Sequence, residues 1–151
     1  TLYDENKKPE LQKLVQYMTI VLFLISLAVL TISVFLGNFI LSIWGLEFRS
    51  GYFVLVILSI GQFFNVATGT VGTLLTMTGF EKKLLAVNTL FLILNIILNI
   101  VFISIWGIKG AACAYAISIF GMNFTRVFFV HRYIGIYIFP WGKIKKLLNQ
   151  T

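Results

Sequence analysis

The stretch LLAVNTLFLILNIILNIVFISIWGI, from Leu84 to Ile108, runs for 25 residues without a charge. At about 1.5 Å of rise per residue, a helix of that length crosses a bilayer hydrocarbon core of roughly 30 Å. Asn88, Asn95 and Asn99 interrupt the apolar run. At about 100° per residue they fall within roughly 40° of one another, so the helix carries one polar stripe. Two readings of the stripe stand. The amides could hydrogen-bond neighbouring helices, each bond worth on the order of 1 kcal/mol. Alternatively, they could line a water-filled cavity through which a polar substrate passes.

Outward from this span, composition points to the same lipid surroundings. The 151 residues are 59% hydrophobic, 16% aromatic and 11% charged, against roughly 25% charged residues in a soluble domain. The chain is read as an all-α membrane protein. Net charge +7 raises the question of nucleic acid, but the basic residues stand at the ends of apolar runs, so no nucleic-acid partner is expected. Cys113 is alone and His131 has no neighbour at metal-ligand spacing, so neither a disulfide framework nor a metal or cofactor is predicted. With Thr1 in place of an initiator Met and no signal-peptide pattern, the sequence reads as a fragment of a longer protein.

The spacing predicts four membrane helices between residues 14 and 132. Residues 1–13 form a polar loop on the cytoplasmic side. Leu14–Leu46 is uncharged and too long for one perpendicular span, so Gly37-Asn38 is predicted to break it, leaving Leu14–Leu36 and a short interfacial piece, Phe39–Trp44. Trp44 and Tyr52 suit an interface belt around the loop Gly45–Gly51. The second span, Gly51–Phe80, has Gln62, Asn65, Gly69, Thr73 and Thr76 within roughly 80° of one another. Gly69 and Gly72 would also permit a bend. After Glu81-Lys82-Lys83 comes the third span, Leu84–Ile105. The fourth, Gly110–Val130, places Gly110, Ala114, Ser118, Gly121 and Thr125 on one face, where a neighbouring backbone can approach. Residues 133–151 read as a basic interfacial tail, with Pro140 and Lys143, Lys145 and Lys146, lying on membrane lipids. Counting Lys and Arg side by side gives ten on the face that holds both termini and two, Arg49 and Lys109, on the other. The positive-inside rule then puts both ends in the cytoplasm.

Several loop motifs, taken in order, look familiar. They are Trp44-Gly45-Leu46-Glu47-Phe48-Arg49-Ser50-Gly51 before the second span and Thr78-Gly79-Phe80-Glu81-Lys82-Lys83 after it. Asn95-Ile96-Ile97-Leu98-Asn99 and Trp106-Gly107-Ile108-Lys109-Gly110-Ala111-Ala112 follow. In their order and spacing the chain resembles the C-terminal half of bacterial polysaccharide and O-antigen exporters, the Wzx-type flippases of the MATE-like superfamily. It departs from them at Trp106, where that family often has Pro. The resemblance implies a bacterial inner-membrane transporter of two helical lobes, of which these four helices are part of the second. The first lobe would complete the cavity. It also implies a lipid-linked oligosaccharide as substrate, an undecaprenyl-pyrophosphate carrier bearing a sugar repeat unit for surface polysaccharide such as lipopolysaccharide. Alternating access would flip it outward.

Other function classes leave different traces. A cation-coupled small-molecule or drug antiporter of the same fold is the alternative; such antiport usually places carboxylates inside the membrane. Here Asp4, Glu5, Glu10, Glu47 and Glu81 all fall in loops. An intramembrane transferase would want an acid, base or nucleophile within a span, and no such constellation is present, so no enzyme is expected. The residues expected to face a substrate cavity are Gln62, Asn65, Asn88, Asn95, Asn99 and Arg126. Arg126 falls about 24 Å down the fourth span from Gly110, near the cytoplasmic edge of the hydrocarbon. It could snorkel to the headgroups, or face the cavity and meet the pyrophosphate.

Overall fold

The computed structural model describes residues 8–135, and among them it contains helices and turns but no strand. Four helical segments are long and apolar enough to cross a membrane. The expected tail from residue 136 onward, and most of the predicted loop 1–13, lie outside the described residues.

Helix α1 runs Lys8–Trp44 without interruption. The break expected at Gly37-Asn38 does not occur. Gly37 is buried, and a Cβ there would come within 3.0 Å of Leu55 and 3.1 Å of the Tyr52 ring. The glycine is a notch that receives the first turns of the next helix rather than a stop. Tyr52 completes the contact by donating its hydroxyl to the Val34 carbonyl at 2.7 Å. Its partner in the expected aromatic belt, Trp44, is exposed.

After a 3₁₀ turn at Leu46–Gly51, the second span divides into α2, Tyr52–Ala67, and α3, Thr70–Met77. The interruption falls at Thr68-Gly69. There the Thr68 hydroxyl donates to the Phe64 carbonyl at 2.7 Å, the kind of back-bonding that bends helices. Across the joint, Thr70 and Thr19 share a hydroxyl–hydroxyl bond of 2.9 Å. Gly72 stays within α3. The predicted stripe of the second span is therefore split: Gln62 and Asn65 belong to α2, while Thr73 and Thr76 are exposed on α3.

Helices α4, Glu81–Trp106, and α5, Ile108–Phe129, are joined through Gly107 alone, at φ +58. A π-helical turn, Val130–Ile134, ends the described chain at Gly135. The small-residue face of α5 packs as expected. Gly110, Ala114 and Ser118 are buried, and a Cβ on Gly121 would come within 2.6 Å of the Phe91 ring on α4.

The helices stand in the order α1, α2, α5, α4, each packed on the next, with α3 reaching α1, α4 and α5. One end of the row is sealed by a core of Leu11, Val15, Val71, Leu75, Val130 and Ile134. At that end Lys83 stacks on the Tyr133 ring, 3.1 Å from its centroid. The opposite end holds the 3₁₀ turn and Gly107, with Lys109 over the Phe53 ring at 5.7 Å. Outward-facing residues such as Phe35 and Ile100 are exposed and apolar, as lipid contact requires.

Candidate functional site

Polar side chains within the spans gather along the two seams that flank α5. Arg126 is the centre of the larger group. Its Nη2 donates to Asn88 Oδ1 on α4 at 2.6 Å, and its Nη1 to Asn123 Oδ1 at 3.3 Å. Asn123, which is buried, donates in turn to Asn65 Oδ1 on α2 at 3.3 Å and to the Ile119 carbonyl at 3.0 Å. The guanidinium thus turns sideways toward Asn88 on α4. Both of these acceptors are neutral amide oxygens. The Arg126 Nε is buried and has no hydrogen-bond partner among the described residues. Among the described residues this positive charge is met by amide dipoles, and an ionisable side chain within a span is a candidate functional position.

Gln62 extends the network along α2. Its Oε1 accepts from Asn65 Nδ2 at 3.3 Å and from the Tyr115 hydroxyl of α5 at 3.0 Å. The side chains of Gln62, Asn65, Asn123, Arg126 and Asn88 therefore form one connected chain across three helices. Asn95 and Asn99 belong elsewhere. Asn95 donates to Ser118 Oγ at 3.2 Å, and Asn99 donates to the Asn95 carbonyl and Oδ1 at 2.9 and 3.0 Å. Asn95 thus ties α4 to α5, while Asn99 folds back on Asn95 within α4.

Two clefts border this network. One, of about 360 Å³, lies between α1, α2 and α5, and includes Ser26, Ser59, Gln62 and Tyr115 in its wall. The other, of about 230 Å³, lies between α4 and α5, and includes Asn88, Asn95, Ser118 and Tyr115.

The α4 stripe and the small-residue face of α5 do not point to Tyr115 and Asn123. Their signal is a second stripe on α5. Tyr115, Asn123 and Arg126 fall within roughly 80° of one another, on a different face from Gly110 and Gly121.

No family model matches the chain, and no solved structure matches it. Over 132 residues it is 29% identical to the capsular polysaccharide biosynthesis protein CapF of Staphylococcus aureus. That relative is named for capsular polysaccharide biosynthesis. The similarity takes in 87% of this chain but 33% of CapF, so the chain spans about a third of that relative's length.

Proposed function

We propose that the chain is part of a bacterial inner-membrane exporter that flips an undecaprenyl-pyrophosphate-linked oligosaccharide repeat unit outward by alternating access. The observation that carries the reading is Arg126, a cation inside a span held by neutral amides, in a chain related to a capsular polysaccharide biosynthesis protein. A pyrophosphate supplies the missing counter-charge, and a guanidinium offers it paired hydrogen bonds. The amides of Gln62, Asn65 and Asn88 then serve hydroxyl-bearing groups in the same passage. The two lobes of a MATE-like transporter would enclose that passage, with the four membrane-crossing segments described above in the second lobe. The sealed end, which bears Lys13, Lys82, Lys83 and Arg132, is the cytoplasmic one.

Deleting the gene tests this reading. Lipid-linked repeat units should still be made but remain on the inner face, and surface polysaccharide should fall. Unchanged surface polysaccharide, or failed synthesis of the lipid-linked unit, would defeat the export assignment. In the complemented strain, cysteines replacing Ser50 and Lys109 should react with an impermeant thiol reagent from outside, and one replacing Lys82 should not. Outside labelling at Lys82 would invert the orientation.

A further inference from the structure

We infer that Tyr115 is a partition between two subsites for uncharged, hydroxylated rings, and that it sets the size of the unit the passage accepts. The identity of the occupant rests on the transport reading, while the partition itself is a matter of geometry. Tyr115 lies in the wall of both clefts, the one between α1, α2 and α5 and the one between α4 and α5. Its ring is held in place from two sides. Gly61 provides the notch: a Cβ there would sit 3.4 Å from Tyr115 Cε1 and 3.2 Å from the Ala116 Cα. Gln62 then accepts the hydroxyl at 3.0 Å.

Volume gives the partition its consequence. Small-ligand pockets fall in the range of about 300–1,000 Å³. The larger cleft, at about 360 Å³, is near the bottom of that range, and the smaller, at about 230 Å³, lies below it. Joined by removal of the ring between them, they would form a groove well inside it.

The lining selects the chemistry. Neither cleft has a Lys, Arg, His, Asp or Glu side chain in its wall. What they offer are amides, hydroxyls, apolar walls and the Tyr115 ring. The Gln62 oxygen is taken by two donors, while its amide nitrogen has no bond within the described chain and the residue is exposed. The Gln62 N–H donors beside an aromatic face suit a neutral sugar ring, whose hydroxyl oxygens accept and whose C–H faces lie on the ring. An acidic sugar finds no cation in these two clefts.

Two readouts test the partition. In a Cys113→Ser background, Ser59→Cys and Met122→Cys place one thiol in each cleft, on either side of the Tyr115 ring that lines both. Bismaleimide cross-linking in the purified protein should rise several-fold with Tyr115→Ala and stay unchanged with Tyr115→Phe. In cells, export of a repeat unit enlarged by one neutral hexose, relative to the native unit, should rise several-fold with Tyr115→Ala but not with Tyr115→Phe. Gly61→Ala, which pushes on the ring without removing it, should shift both readouts in the same direction by less. Equal cross-linking and equal export ratios for Tyr115 and Tyr115→Ala, at normal membrane yield, would overturn the inference. A wild-type protein that exports neither unit would sink the transport reading alone, because cross-linking reports the partition without transport.

Discussion

Replacing Gly110 with alanine is expected to splay α4 from α5 and to lower both yield and melting temperature. A Cβ on Gly110 would run into the Phe102 carbonyl, and would stand 3.0 Å from the Ile103 nitrogen. Both neighbours are backbone inside α4, so no side-chain rotation relieves the clash. The closeness follows from the turn: Gly107 reverses the chain in a single residue, and the Gly110 N–H bonds back to the Gly107 carbonyl at 2.9 Å. Overpacking of a well-filled contact costs roughly 1–3 kcal/mol, and Gly110→Leu should exceed Gly110→Ala. Gly72→Ala is the control. Nothing lies within 4 Å of a Cβ there, and alanine improves helix propensity by about 1 kcal/mol. Equal thermal stability for wild type and Gly110→Ala would mean that the two helices do not meet as described.

Arg126→Gln is expected to reduce export of the lipid-linked repeat unit by at least about tenfold, equivalent to roughly 1.4 kcal/mol. Membrane insertion and melting temperature should change little. Glutamine keeps an uncharged hydrogen-bonding group on this face of α5, but it is shorter than arginine and has no charge with which to meet a pyrophosphate. Arg126→Lys should fall between the two. Lysine keeps the charge and loses the planar fork that lets one side chain reach Asn88 and Asn123 together. Export should also drop in Asn88→Leu, which removes the acceptor that aims the guanidinium from α4. Full export by Arg126→Gln at ordinary expression would remove Arg126 from the substrate contacts.

Much of this architecture is legible in the sequence because the solvent is so selective. An uncharged run of 25 residues has one stable form in a bilayer, and the Lys and Arg positions mark where such runs end. The small face of α5 is legible too, since its 3.6-residue periodicity needs no knowledge of the partner. Gly37 misleads because glycine weakens a helix and also permits close approach. Only the position of Tyr52 and Leu55 decides between those roles.

Partner choice in the site is hidden for a related reason. Asn88, Asn95 and Asn99 share one helical face, yet Asn88 bonds Arg126 while Asn95 bonds Ser118 and Asn99 bonds Asn95. That division depends on how α4 and α5 are aligned along their lengths, which neither helix's own periodicity specifies. The Asn88–Arg126 pair is 38 residues apart in the chain.

The order α1, α2, α5, α4 also has a consequence for biogenesis. Its two outer contacts join helices linked by a short turn, so α1 with α2, and α4 with α5, can each close as a hairpin soon after insertion. The contact between α2 and α5 has no such help, and α3 must leave the line of α2 to brace it. Assembly is therefore expected in two steps, hairpins first, with the Gln62–Tyr115 and Asn65–Asn123 bonds closing last. Cutting the chain at Gly79, where a Cβ would meet open space, should yield two pieces that insert separately and reassemble when co-expressed. Failure of Gln62→Leu with Asn65→Leu to weaken that reassembly would place the second step elsewhere.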